Sequence, residues 1–311
     1  MAMMIQVQEL TKYYGATLAV SRLNFEVAEG EIVGFLGPNG AGKTTTLKIL
    51  AGFMPPSAGA ARINGYDCVS QSLNVRRSLG YLPETVPLYP DLTVSQFLEF
   101  AARAKGVEGR AEKKEVDRVM AACGLTEVRQ TLSASLSKGF RQRLGLAQAL
   151  VGQPPLVILD EPTIGLDPSQ IVEIRGLIKD LAGAHTVILS SHILPEVSQL
   201  CQRVIIINRV QIVASDTPEN LCRQVSKGSR IVLVVAGPPS EVEAALKAIP
   251  GVSRVLNEGA GRFLVEAANG AELRPQLARS VVAGGWELLE LKAQEFTLEE
   301  VFLNLVTEEE S

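Results

Sequence analysis

A two-domain α/β fold is predicted by three features of the 311-residue chain. Short, wholly apolar segments alternate with helix-like segments through the first two thirds, the pattern of helices packed on a mostly parallel sheet. A glycine-rich turn joins one such segment to a helical run. Beyond a polar stretch near residue 223 the order changes to strand, helix, strand, strand, helix, strand.

Strand-like alternation at Ile5–Glu9 and Leu23–Val27 precedes a strand at Glu31–Leu36, the glycine-rich turn and a helical run over Lys43–Ala51. Leu156–Leu159, Thr186–Leu189 and Val204–Ile207 are short apolar runs bounded by turn or polar residues, as fully buried parallel strands are. Val94–Lys105 and Glu112–Cys123 read as helices, and the charges of the second form a solvated face. Residues 1–222 are therefore expected to form one domain, with a helical subdomain at about 96–150. Arg223–Ser229 reads as a linker and residues 230–311 as a second domain. Its elements are a strand at Arg230–Val235, a helix at Ser240–Ile249, strands at Val252–Asn257 and Arg262–Ala267, a helix at Ala271–Val282 and a strand at Trp286–Leu291. That βαββαβ order predicts a small α+β ferredoxin-like sandwich. It carries no motif for chemistry, so a regulatory or dimer-forming role is expected of it.

Composition excludes several functions. Apolar residues are 46% and charged residues 21% of the chain, enough to bury a core and unlike a disordered chain. Thirty basic residues against 34 acidic ones leave a net charge of −4 and no global positive field to attract nucleic acid or anionic lipid. The longest apolar run, Ile231–Ala236, falls far short of the ~20 residues of a spanning helix, so no part of the chain is expected to cross a bilayer. Met1–Leu10 lacks the basic and then apolar pattern of a secretory signal, which makes a cytoplasmic location the expectation. Cys68, Cys123, Cys201 and Cys222 match neither a metal framework nor a disulfide scaffold and read as reduced packing residues.

Chemistry is concentrated at two places. Gly37-Pro38-Asn39-Gly40-Ala41-Gly42-Lys43-Thr44-Thr45 satisfies GxxxxGK[ST] between a strand and a helix, the context a phosphate-binding loop requires. Its glycines let backbone N–H groups converge on phosphate, and the helix start adds its positive end. Lys43 reaches the β- and γ-phosphates, and Thr44 offers a hydroxyl to Mg²⁺. Asp160 and Glu161 follow the apolar run Leu156–Leu159, at the strand end where open α/β sheets hold ligands. Asp160 there binds Mg²⁺ through water, and Glu161 is placed to polarise an attacking water as general base.

Leu136-Ser137-Lys138-Gly139-Phe140 is by itself an N-cap serine opening a helix with Phe140, Leu144 and Ala147 on one face. Together with the preceding motifs it resembles the LSGGQ signature of ATP-binding-cassette (ABC) proteins; Ser137 and Gly139 match, and Lys138 and Phe140 depart from it. The resemblance implies that Tyr14 stacks on adenine, that Asp167 in Gly165-Leu166-Asp167-Pro168 belongs to the nucleotide site and that His192 meets the γ-phosphate. Taken singly, Tyr14 is a packing aromatic, Asp167-Pro168 a turn or helix start, and His192 a cap or core histidine. The family's glutamine loop falls near Tyr81-Leu82-Pro83-Glu84, where Glu84 replaces the glutamine. Its carboxylate is still a hard oxygen donor for Mg²⁺ but offers no amide donor. The segment Phe296–Phe302 resembles the tail of single-cassette subunits of ABC-2-type exporters.

Membership of that family implies a P-loop NTPase cassette that binds ATP and Mg²⁺ and hydrolyses ATP. Two copies would meet head to tail, Ser137 and Gly139 of one contacting the nucleotide held by the other. The resemblance further implies polytopic transmembrane permease subunits as partners, a peripheral position on the inner face of the cell membrane, and export as the work performed; no nucleic acid is expected. The alternative is a soluble ABC ATPase of DNA repair or translation. Against it stand the single GxxxxGK[ST] and the lack of a sustained heptad repeat.

Overall fold

Strands of five or six residues with every position buried form the centre of the first unit. The computed structural model describes residues 2–225, 230–267, 272–294 and 297–307, and the chain divides into two units, Met1–Thr217 and Pro218–Ser311. The first opens with long strands β1 (Met3–Tyr14) and β2 (Thr17–Ala28), then β3 (Ile32–Leu36) and helix α1 (Lys43–Leu50). There follow β4 (Ala58–Ile63), β5 (Tyr66–Asp67), α2 (Ser72–Ser78) and β6 (Leu79–Leu82). Helices α3 (Val94–Ala104), α4 (Arg110–Ala122) and α5 (Lys138–Leu150) pack on one another. The unit closes with β7 (Leu156–Asp160), α6 (Pro168–Lys179), β8 (Thr186–Ser191), α7 (Leu194–Leu200), β9 (Arg203–Asn208) and β10 (Gln211–Asp216).

These strands make two sheets. The larger has the order β10-β9-β3-β8-β7-β6 and is parallel apart from its edge strand β10. All residues of β3, β7 and β8 are buried, which is why they read as continuous apolar runs. The second sheet, β2-β1-β4-β5, is antiparallel. Sequence reading places only Ile5–Glu9 of β1 and Leu23–Val27 of β2 and none of β4, whose Ala-Gly-Ala-Ala-Arg-Ile composition is poor in strand-favouring side chains. One core, including Leu47, Ile49 and Leu50 of α1, joins residues of both sheets.

Helix α3 starts where a Thr93–Gln96 capping box closes, the Thr93 amide donating to Gln96 Oε1 at 2.9 Å. Helix α5 lies tightly on β6 because two glycines permit it. The backbone of Ala149 occupies the place a β-carbon on Gly80 would take, and a β-carbon on Gly145 would sit 2.6 Å from Leu82.

The second unit begins with α8 (Pro218–Val225), then β11 (Arg230–Ala236), α9 (Pro239–Lys247), β12 (Val252–Gly259), β13 (Arg262–Ala267), α10 (Arg274–Ala283), β14 (Glu287–Gln294) and α11 (Leu298–Thr307). The four strands form an antiparallel sheet of order β12-β13-β11-β14, with Val242 and Leu246 of α9 and Leu277 and Val281 of α10 in its core. The boundary differs from the expected one: residues 218–222 belong with the second unit, because α8 packs against α11. Residues 226–229 of the expected linker, Ala271 at the expected helix start and Phe296 of the tail lie outside the described residues. Among the described residues no helix is long and apolar enough to cross a membrane. Cys68, Cys123 and Cys201 are buried and free, and burial pushes each thiol up to about 12.

The glycine contacts make a paired prediction. Gly80→Ala is expected to destabilise the first unit by about 1–3 kcal/mol through overpacking against α5. Gly176→Ala, in α6 with nothing near its β-position, is expected to stabilise by up to about 1 kcal/mol. Calorimetric unfolding of the two variants checks both signs.

Candidate active site

Parallel register brings the reactive side chains together. Leu36 at the end of β3 lies opposite Ser191 of β8, and Asp160 at the end of β7 lies opposite Ser190. From Leu36 the chain enters the glycine-rich turn. Gly42 has φ 102°, in the left-handed region, and a β-carbon there would stand 2.5 Å from the Ala19 carbonyl oxygen, so only glycine fits. Helix α1 starts directly after it with no side-chain cap, which leaves its first amides directed at the loop for a ligand.

Lys43 is 6% exposed. Its ammonium donates to the carbonyls of Gly37 at 2.7 Å and Pro38 at 3.3 Å and lies 3.9 Å from Glu161 Oε1. Burial holds the Lys43 pKa below its ordinary value, opposed by the charges of Glu161, Asp160 and Glu84. Asp160, 1% exposed, accepts from Thr44 Oγ1 at 3.2 Å and from Ser190 Oγ at 2.6 Å. The same Ser190 oxygen accepts the Glu161 N–H at 2.9 Å, so one hydroxyl ties the two acidic residues together.

Glu161 itself has φ 49°, a left-handed conformation that costs a non-glycine residue about 1–2 kcal/mol. His192 Nδ1 is 2.7 Å from Glu161 Oε2. An ionised carboxylate only accepts hydrogen bonds, so Nδ1 carries the proton in that contact. Burial, followed by the charge of Asp160, raises the Tyr81 phenol pKa and keeps it neutral.

The resulting cleft of about 500 Å³ is lined by Asn39, Gly40, Gly42, Lys43, Thr44 and Thr45 on the loop side and by Glu84, Glu161 and His192 opposite them. Gly37 and Ala41 are buried beneath the loop, where the Ala41 amide donates to the Pro38 carbonyl at 3.2 Å. Other sequence-derived candidates are not among the residues lining this cleft. Tyr14, exposed at the end of β1, donates its hydroxyl to Met54 Sδ at 3.0 Å, with the Lys12 ammonium 5.7 Å from its ring centre. Ser137 caps α5, accepting from the Phe140 amide, and Asp167 caps α6, accepting from the Gln170 amide at 2.9 Å. A β-carbon on Gly139 would meet Gln170 at 2.7 Å, so these two helix starts form one surface.

Sequence reasoning missed Ser190. Its signal was a hydroxyl residue at the end of a buried strand, two positions before His192. Ser190→Ala is expected to leave the Glu161 amide and one Asp160 acceptor unsatisfied. The expected cost is about 1–3 kcal/mol, read from the unfolding midpoint. Lys43→Ala is expected to weaken ATP binding at least about tenfold by removing the charge at the phosphate end of the cleft. Calorimetric titration with unchanged affinity would refute that assignment.

Known proteins resemble this chain over the same parts. The ABC transporter family profile matches residues 20–164, from β2 to just past Glu161. The linearmycin resistance ATP-binding protein LnrL of Bacillus subtilis is 33% identical over 304 residues, covering 97% of this chain and 98% of that protein. The bacitracin transport ATP-binding protein BcrA of Bacillus licheniformis is 41% identical over 210 residues, 67% of this chain and 68% of its own. A solved ATP-binding subunit of an ABC transporter superposes with TM-score 0.65 at 32% identity, over 71% of this chain and 92% of that one. A dimeric ATP-binding cassette in a post-hydrolysis state, bound to ADP and Pi, superposes with TM-score 0.64 at 25% identity, over 69% of this chain and 98% of that one. With the loop, the strand-end carboxylates and His192 gathered at one cleft, the chain belongs to the ABC transporter family, as an ATP-hydrolysing ATP-binding protein.

Proposed function

We propose that this chain powers export through separate polytopic transmembrane permease subunits, that it lies peripherally on the inner face of the cell membrane, and that it works as a head-to-tail pair of copies. The observation that carries the reading is Glu161, held between His192 Nδ1 and the Lys43 ammonium beside the Thr44–Asp160 pair. Bound ATP presents charged phosphate acceptors, for which Lys43 exchanges the neutral carbonyls of Gly37 and Pro38. Glu161 accepts the proton of the attacking water, and the His192 N–H fixes which carboxylate oxygen is free to do so.

Thr44 and Asp160, with Glu84 at the cleft wall, are the oxygen donors that would hold Mg²⁺, and the ion would supply neutralisation of the phosphate charge. Among the described residues no three acidic, histidine or cysteine side chains form a metal cage. That suits an ion whose other ligands come from phosphate and water.

Support for a permease partner comes from a second groove of about 800 Å³ between α2, α3 and the 83–89 loop. Phe53, Leu73, Tyr89 and Phe100 line it and are half or more exposed, an apolar patch of the kind that marks interaction surfaces. The names of LnrL and BcrA, linked to linearmycin resistance and bacitracin transport, support an antibiotic-like cargo and outward transport. The dimeric relative bound to ADP and Pi supports the paired arrangement. A repair-type cassette needs long coiled-coil insertions, whereas α4 and α5 are 13 residues each.

Glu161→Gln is expected to retain ATP while turnover falls about 10²–10⁴-fold, and to sediment as an ATP-dependent pair. Turnover within tenfold of the parent would remove Glu161 as the base. Tagged Glu161→Gln protein with ATP and Mg²⁺, recovered from detergent-solubilised membranes, is expected to bring a polytopic membrane protein in stoichiometric amount. A soluble or nucleic-acid partner in its place would favour repair or translation.

A further inference from the structure

Tyr81 is a buried titratable side chain that the chemistry above leaves unused. It lies on β6 directly across from Ile158 of β7, and because side chains alternate along a strand, Asp160, two residues on, emerges on the same face. Only 8% of Tyr81 is exposed, in the core that also holds Ile158 and Leu47 of α1. Phe53 braces its ring, the two ring centres lying 5.2 Å apart at an interplanar angle of 59°. Packing thereby fixes where the phenol stands.

The hydroxyl, by contrast, is unanswered. The phenol oxygen is buried and directed at Asp160 but stops short of a hydrogen bond, and no other partner meets it among the described residues. A buried hydroxyl left unpaired is costly, and such groups are few in a folded protein. Phenylalanine would fill the same place without that cost. Asp160 is unevenly served in turn: Thr44 and Ser190 both donate to its Oδ1, and no hydrogen bond to Oδ2 is formed among the described residues. Burial and the charge of Asp160 keep the phenol protonated. A protonated phenol and a carboxylate oxygen to spare are a donor and an acceptor.

We propose that Tyr81 is a positioning residue of the nucleotide site, whose hydroxyl closes onto Asp160 Oδ2 when nucleotide and Mg²⁺ are bound. The proposal rests on the reading above in which Thr44 and Asp160 hold the ion, and it adds the residue that orients Asp160 for that task. Ser190 anchors Oδ1 at 2.6 Å, and a small turn of the carboxylate about that anchor completes the Tyr81 bond. The contact to Thr44, 3.2 Å and long for two oxygens, leaves room for the turn. A hydrogen bond made in the loaded site and missing from the empty one adds to ligand affinity, since only a differential interaction shifts an equilibrium. The empty protein carries the cost of the unpaired hydroxyl, and loading relieves it. With three donors on two oxygens, the plane of the carboxylate is fixed.

Tyr81→Phe separates this role from packing, since it keeps the ring and its contact with Phe53 and removes the hydroxyl alone. Full-length Glu161→Gln protein, dilute enough to be monomeric, serves as parent for calorimetric titration with ATP, once with Mg²⁺ and once with EDTA. Tyr81→Phe is expected to weaken binding about tenfold with Mg²⁺ and less than about twofold with EDTA. The unfolding midpoint of the nucleotide-free protein is expected to be unchanged or raised, because the lost hydroxyl had no partner there. A lowered midpoint, or equal losses of affinity with and without Mg²⁺, would mark the hydroxyl as merely structural and overturn the proposal. Undiminished affinity with Mg²⁺ would overturn it too, while leaving Thr44 and Asp160 as donors to the ion. A parent that binds ATP equally well with Mg²⁺ and with EDTA would overturn the reading of the ion site, and the role of Tyr81 with it.

Discussion

Two carboxylates and an ammonium lie almost fully buried within one small volume, and the surrounding architecture is what makes that tolerable. Each charge left alone would cost several kcal/mol, so each must be answered by a donor, an acceptor or an opposite charge. Asp160 is answered by Thr44 and Ser190, Lys43 by two loop carbonyls, and Glu161 by His192 and the more distant Lys43. Those partners come from the loop after β3, from α1, from the end of β8 and from the residue after β8. The parallel pairing of β3, β8 and β7 is therefore a precondition of the chemistry.

A second dependence runs through small residues rather than charges. Gly80 and Gly145 let α5 approach β6 until backbone and side chains touch. The same strand leads within two residues to Glu84 in the cleft wall, and the same helix begins at Ser137 on the other surface. A tightly packed element of this sort passes a displacement on instead of absorbing it. Events at the start of α5 and at the cleft are thereby placed at two ends of one stiff connection.

Much of this was legible in the sequence because it depends on local pattern. Buried parallel strands announce themselves as apolar runs, the phosphate loop by its spacing, and Asp160 and Glu161 by following such a run. The second sheet was less legible, since β4 is built of small residues that carry little strand signal and is ordered by pairing with distant β1. Ser190 was overlooked because its role exists only once Asp160 lies opposite it across the sheet. Ser137 and Asp167 were readable twice over: each is a helix cap, as its neighbours alone suggest, and each also occupies a family motif. The limit of the first unit was misplaced by five residues because α8 owes its allegiance to α11, more than seventy positions later.

The left-handed backbone at Glu161 carries an evolutionary consequence. Glycine would occupy that conformation without strain, so the substitution that most relaxes the backbone there also removes the carboxylate. With Glu161 as the base proposed above, selection for thermal robustness alone would drift toward loss of activity at this position, while selection for turnover holds it in place. Position 161 is thus a point where fitness and folding stability pull in opposite directions, and a library screened only for stability would lose the enzyme there.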